Sequence, residues 1–112
     1  MAETCLFCDI VAGDKEASRV YEDDAVVMIR DINPQAPVHY LVLPREHVST
    51  LNDAKPQTLV DMFSAARDQA ERDGFAQKGY RTVFNVGKDG GQTVGHLHLH
   101  VLAGRPLAWP PG

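Results

Sequence analysis

Apolar and polar residues alternate strictly over His96-Leu97-His98-Leu99-His100, and Val101 and Leu102 carry the run onward. Successive side chains of a strand point to opposite faces, so the pattern predicts a half-buried strand with Leu97 and Leu99 toward a core and three histidines along one open face. A different period governs the middle of the chain. From Pro56 to about Asp73, Leu59, Met62, Phe63, Ala66 and Ala70 recur at steps of three and four, which predicts a long amphipathic helix packed on a sheet, with Pro56 in its first turn. Leu6, Phe7, Ile10 and Val11 share that spacing ahead of Gly13, predicting a short helix near residues 5–12 stopped by the glycine. Residues 19–22 and 25–30 read as strands joined by a tight turn at Asp23-Asp24, and Val38 to Leu43 as a third strand ended by Pro44. Asp31 to Pro37 is a loop, because Pro34 and Pro37 break any ladder. Tyr80 to Val86 is a fourth strand, Gly87 to Thr93 a glycine-rich turn, and the Pro110-Pro111 end an extended tail. This order implies an α+β fold with a mainly antiparallel sheet.

Composition narrows the function. With 112 residues the chain is read as one domain, 1–112, whose tail starts at about residue 103. Eleven Lys+Arg against 15 Asp+Glu give a net charge of -4, which argues against a nucleic-acid partner. A small phosphorylated ligand survives that argument, since backbone N–H groups and a few side chains can hold it. No segment approaches the roughly 18 to 20 apolar residues of a membrane span. Cys5 and Cys8 stand three apart, a poor framework for extracellular disulfides, so the reading is a soluble protein of the reducing cytoplasm with no membrane partner.

Strand geometry limits what the histidine stripe can do. His96 and His100 would lie ~13 Å apart along a strand, whereas zinc–nitrogen bonds are only about 2.1 Å, so the stripe cannot share one ion. A strand histidine ordinarily does no more than hydrogen-bond its neighbours. The adjacent turn points elsewhere: Gly90 and Gly91 let backbone N–H groups approach a ligand, and Gln92 and Thr93 add side-chain donors suited to phosphate oxygens. Together these features predict phosphoryl transfer with a histidine nucleophile, centred on His98.

These residues carry a resemblance. The run His96 to Leu102 is similar to the His-φ-His-φ-His-φ-φ signature (φ apolar) of the histidine triad superfamily. Asp31-Ile32, Pro34-Gln35-Ala36-Pro37, His39 to Pro44, Asn85, Asp89 to Thr93 and the terminal Trp109-Pro110-Pro111-Gly112 resemble its Hint branch, so the likeness covers essentially the whole chain. It implies a five-stranded sheet extended across a homodimer, and a hydrolase that cleaves the P–N bond of purine nucleoside 5′-phosphoramidates and also acts on aminoacyl-adenylate-like substrates. By the same likeness His98 is the nucleophile, forming a nucleotidyl-histidine intermediate. His100, Gly91, Gln92 and Thr93 hold the α-phosphate of an AMP- or GMP-like ligand, and Asp31 binds the ribose hydroxyls. Ile32 borders the base pocket with Phe7, Ile10 and Ile29. Asn85 lies near phosphate and ribose, His39 is a fourth active-site histidine opposite the triad on the neighbouring strand, and His96 belongs to the catalytic set. Thr93 stands where a serine is common, and Gly95 where many relatives carry a larger residue.

No cofactor is implied for catalysis. Some bacterial triad proteins, however, resemble this chain in pairing an N-terminal Cys-x-x-Cys with two histidines as a structural zinc site, which here maps onto Cys5, Cys8, His47 and His96. The bland alternative is two free thiols and a surface histidine. Two other functions stay open: a dinucleoside polyphosphate hydrolase using the same His98 chemistry, and a non-catalytic nucleotide-sensing or scaffolding module.

Overall fold

A computed structural model describes residues 5–112. A short helix, α1 (Leu6–Ala12), precedes three strands, β1 (Arg19–Glu22), β2 (Val26–Arg30) and β3 (Val38–Pro44). A long helix, α2 (Pro56–Arg72), then leads to β4 (Arg81–Val83) and β5 (Leu99–Ala103). The strands form one five-stranded sheet in the order β1-β2-β3-β5-β4, antiparallel at every pairing.

Local chemistry explains the boundaries. Gly13 closes α1 at φ 85°, a left-handed conformation that costs glycine little. The expected turn after β1 is made by Asp23, whose carboxylate accepts the N–H groups of Ala25 and Val26. The central strands are buried on both faces. On one face Met28, Val42, Leu99 and Val101 pack against Met62, Ala66 and Ala70 of α2. On the other, Val27, Ile29, Leu41 and Leu43 meet Phe7 and Ile10 of α1. Burying such aliphatic side chains stabilises the fold by about 1.5–3 kcal/mol each. Phe63 departs from the expected stripe: α2 buries Met62, Ala65, Ala66, Gln69 and Ala70, while Phe63 stays 43% exposed against Phe84. The contact face is centred a few residues away from the one its apolar residues imply.

Two strand boundaries also differ from expectation. Regular pairing of the histidine run begins only at Leu99, so His96 and His98 precede the strand. Its partner β3 ends at Pro44, which has no N–H to donate, and the Pro44 carbonyl accepts the ring N–H of His96 instead of a ladder bond. The Leu97 N–H turns away to the Val48 carbonyl at 2.6 Å. Alternation nevertheless persists: Leu97 and Leu99 are buried on the α2 side. The face opposite is not open, because α1 covers it and leaves His96 fully buried and His98 nearly so. Strand β4 stops at Val83 rather than Val86; continuing its register would set Asn85 opposite His98, where β5 has left regular pairing. Asn85 anchors the following loop instead, donating to the Gly90 carbonyl at 2.7 Å. Among the described residues no helix is long and apolar enough to cross a membrane.

Candidate functional site

Three ring orientations define the site, and each follows from a neighbour that can act in only one way. A backbone carbonyl only accepts. The His98 Nδ1, 2.7 Å from the His96 carbonyl oxygen, must therefore carry the proton and donate, which leaves a lone pair on Nε2. Phe7 packs its ring edgewise on His98 at 5.1 Å between centroids and fixes the imidazole from the side. His96 repeats the logic in reverse: Nε2–H donates to the Pro44 carbonyl at 3.0 Å, so its lone pair lies on Nδ1.

His100 takes its orientation from β3. The Gln35 backbone N–H donates to His39 Nδ1 at 3.0 Å, so the His39 proton sits on Nε2. That Nε2–H faces His100 Nδ1 at 2.9 Å and Asp31 Oδ2 at 3.4 Å, and the shorter contact is the hydrogen bond. His100 Nδ1 accepts and its own proton lies on Nε2. Burial pushes the His100 pKa down to about 4, aided by His98 and His39 and opposed by Asp31. Burial likewise lowers His39 against the pull of Asp31. Both rings are neutral near pH 7, as the two assigned protons require.

These groups close one end of a cleft of about 240 Å³ between α1, β2 and the segment before β5. Phe7, Ile10, Ile29 and Leu41 make its apolar wall, and Asp31, Thr93, His98 and His100 its polar side. Ile32 stands at the rim with 99% of its surface exposed. Asp31 is oriented from below, its Oδ1 accepting the Asn33 N–H at 2.8 Å. Lys15, Glu16 and Arg30 also line the cleft; nothing in the sequence pattern marks them, and only the fold brings Lys15 and Glu16 beside Ile32. Gln35 was equally invisible, since it acts through its backbone.

The glycine-rich turn is built differently from the expectation. Gly90 is required by close approach, as a Cβ there would lie 2.2 Å from the Val86 carbonyl oxygen. Gly91 turns the chain at φ 78°. The Gln92 amide, expected to offer donors to a ligand, is committed inside the protein: Nε2 donates to the carbonyls of Ser49 and Val94 and Oε1 accepts the Gly87 N–H. Its backbone N–H is also used, at 3.0 Å from the Gly87 carbonyl. Gly91 and Gln92 line an adjoining groove with Ser49, which meets the cleft at Thr93 and Val94. His39 touches the cleft only through His100, and Asn85, bonded to the Gly90 carbonyl, does not line it.

The second constellation lies on the far side of His96. Cys5 caps α1, its Sγ accepting the Cys8 N–H, so both sulfurs converge from one turn. His96 Nδ1 stands 3.5 Å from each sulfur, and His47 Nδ1 3.2 Å from that of Cys8. The four ligand atoms all lie within 4.8 Å of one another. With zinc–sulfur bonds of about 2.3 Å and zinc–nitrogen bonds of about 2.1 Å, tetrahedral geometry separates S and N ligands by about 3.6 Å. The observed spacing and donor set therefore fit a zinc ion. The Pro44 carbonyl supplies the outer hydrogen bond that orients a ligating imidazole. Burial lowers His96, which keeps it in the neutral, ligating form, although the Pro44 bond opposes the shift. Burial and the neighbouring Cys5 raise the Cys8 thiol to about 11, so a cation binding there must displace a proton.

Asp31, His39 and His100 also converge, but their 2.9 Å nitrogen–nitrogen contact is shorter than the roughly 3.4 Å that two nitrogens on one zinc would keep. That group shares a proton, not an ion.

The pattern of the HIT domain matches residues 12–107. A purine nucleoside phosphoramidase of Escherichia coli K12 is 43% identical over 110 residues, spanning 96% of this chain and 92% of its own length. In three dimensions the chain is similar to a HIT family hydrolase from Legionella pneumophila, with a TM-score of 0.94, 45% identity and coverage of 97% of this chain and all of that one. It is also similar to a zinc-bound histidine triad family protein from Mycobacterium smegmatis, with a TM-score of 0.82, 39% identity and coverage of 91% of this chain and 76% of that one. Because the domain pattern runs from the end of α1 into the tail and these likenesses extend over nearly the whole chain, it belongs to the HIT domain family.

Proposed function

We propose that the chain is a hydrolase that cleaves the P–N bond of purine nucleoside 5′-phosphoramidates and, in aminoacyl-adenylate-like mixed anhydrides, the P–O bond to the acyl group, with carboxylate leaving. The carrying observation is the His98 ring, whose Nδ1–H is tied to the His96 carbonyl while Nε2 presents a lone pair at the polar end of an apolar cleft. Nε2 attacks phosphorus, the P–N bond breaks, and the amine leaves with a proton from solvent at the cleft mouth. The nucleotidyl-histidine is an imidazolium, and the His96 carbonyl stabilises its charge through Nδ1–H. Water then attacks phosphorus and loses its proton, the P–Nε2 bond breaks, and the nucleoside monophosphate departs with His98 restored.

The neutral His100 donates Nε2–H to an α-phosphate oxygen, and Thr93 adds its hydroxyl. His39 holds His100. Gly91, Gln92 and Asn85 serve by shaping the loop that carries Thr93. Asp31 takes the ribose hydroxyls, and Phe7, Ile10, Ile29 and Ile32 the purine. His96 contributes to the chemistry through its carbonyl and to the Cys5, Cys8 and His47 group through its ring. A zinc ion there would supply a structural cross-link between α1, the segment after β3 and the histidine run. A reducing cytoplasm would keep both thiols free to bind it.

A homodimer completes the reading. Val60 (54% exposed), Phe63 and Tyr80 form an apolar patch beside β4, whose outer edge has no partner strand among the described residues. A second copy added along that edge would extend the sheet and bring the 82%-exposed Trp109 toward the neighbouring site.

Turnover of an adenosine phosphoramidate beside a diadenosine polyphosphate, in wild type, His98→Ala and His100→Ala, tests the proposal. Phosphoramidate turnover that His98→Ala abolishes is expected. Equal turnover in wild type and His98→Ala would remove the nucleophile, and nucleotide binding without turnover of either substrate would make the chain a sensing module.

A further inference from the structure

The hydrogen bonds that orient His100 begin outside the cleft, in the turn that leaves β5. Gly104 adopts φ 95° there, and a Cβ on it would lie 2.8 Å from Pro37 Cβ, so the turn seats tightly on the loop before β3. Arg105 comes next. Its guanidinium holds the Gln35 carbonyl from two nitrogens, Nε at 3.2 Å and Nη2 at 2.9 Å, while Nη1 reaches the Pro106 carbonyl at 3.0 Å. Among the described residues no carboxylate pairs with Arg105, so its planar fork serves backbone carbonyls alone.

Gln35 is therefore held on its carbonyl side by Arg105 and gives its N–H to His39 Nδ1. Every link has one direction. The guanidinium donates, the carbonyl accepts, the Gln35 N–H donates, and His39 Nδ1 accepts. The Gln35 carbonyl and N–H belong to successive peptide units joined at its Cα, so a shift of the residue once Arg105 lets go would carry the N–H off His39 Nδ1 and leave that nitrogen free to take the proton. His39 Nε2 would then accept from His100, whose proton would move to Nδ1. A bare Nε2 lone pair would face the cleft where a donor is needed.

We propose that Arg105 is a positioning residue for the reaction: by clamping the Gln35 carbonyl it anchors this residue, whose N–H, in the preceding peptide unit, holds His39 in the Nε2–H form and so keeps the His100 Nε2–H aimed into the cleft. This deepens the reading of His100 as the phosphate donor and rests on it. The substrate-side expectation follows from where the change falls. Arg105 touches no part of the cleft lining, so losing it alters charge stabilisation at phosphorus more than nucleotide capture.

Imidazole nitrogen NMR of the isotope-labelled, ligand-free full chain tests the inference, beside kcat and KM for an adenosine phosphoramidate, in wild type, Arg105→Ala and Arg105→Lys. Wild type should hold His39 and His100 in the Nε2–H form. Arg105→Ala should populate Nδ1–H at His100 and lower kcat about tenfold, with KM changed less than about twofold. Arg105→Lys, which keeps one charged donor without the fork, should recover most of both readings. Unaltered tautomers in folded Arg105→Ala would overturn the proposal, and so would altered tautomers with unaltered kcat. Should the alanine variant not fold, the lysine variant decides by the same two readings, with a smaller shift expected and none contradicting. The ring spectra need no substrate: a His98→Ala protein that still turned over would sink the reaction reading while leaving the tautomer result standing.

Discussion

Two clusters that each hold two histidines flank His98, and they differ in their other members and in spacing. Around Cys5, Cys8, His47 and His96 the closest ligand atoms stand 3.2 to 3.5 Å apart, and the one ring lone pair that hydrogen bonding fixes there, on His96 Nδ1, faces the sulfurs. Around Asp31, His39 and His100 two ring nitrogens meet at 2.9 Å with a hydrogen between them. The first spacing suits an ion and the second a proton. The five histidines of the chain are divided between these clusters and His98 itself, so a shared residue type performs three tasks. The division is set largely by backbone groups: the carbonyls of Pro44 and His96 and the N–H of Gln35 decide which nitrogen of His96, His98 and His39 is bare, and His39 passes that choice on to His100.

The sharpest way to break the comparison is at its midpoint. His98→Ala should lower kcat for a phosphoramidate by at least about a thousandfold, since it removes the group that forms the bond, while metal content stays as in wild type. Single-turnover kinetics with metal analysis of the same sample checks both halves. Next in size, Cys5→Ser/Cys8→Ser should reduce bound zinc from about one per chain to none. It should also abolish the rise in thermal midpoint on adding zinc, expected at several degrees in wild type because binding to the folded state at ~100 Kd stabilises it by about 2.7 kcal/mol. Zinc retained by the double variant would mean that the proton-linked cluster can also take an ion.

His39→Gln should be milder, lowering kcat/KM about tenfold without altering zinc stoichiometry, because His100 loses the partner that orients it. An unchanged rate would separate His39 from the reaction. The last effect concerns pH. His100 is depressed to about 4 in the folded chain, so between its unfolded value near 6.5 and that point the unfolded chain binds more protons. Stability should therefore be full above about pH 6.5 and decline as pH falls toward 4. Urea unfolding of the Cys5→Ser/Cys8→Ser protein, with and without His100→Gln, isolates this slope from metal release; an equally steep decline without His100 would contradict the assignment.

How much of this was legible beforehand depends on which groups act. The alternation that turns Leu97 and Leu99 to the core survives, as do the α+β class, the two helices and the five antiparallel strands, because side-chain periodicity encodes them. The late start of β5 was hidden. It depends on Pro44 ending the neighbouring strand and lending its carbonyl to His96, which is a relation between distant residues. Gln92 was legible as polar but not in direction, since its partners Ser49 and Gly87 meet it only after folding. The Cys5 and Cys8 spacing carries two of the four candidate ligands, the family resemblance adds His47 and His96, and folding brings all four together. Gln35 illustrates the limit most clearly: its contribution is a backbone N–H, which no residue type announces.

The central claim is that His98 Nε2 attacks phosphorus. The direct measurement is mass analysis of protein quenched during turnover of an adenosine phosphoramidate, with the modified peptide sequenced. An adenylyl group on His98, absent from the His98→Ala protein, is the predicted result. Full turnover with no covalent adduct at any quench time, or an adduct on another residue, would contradict it.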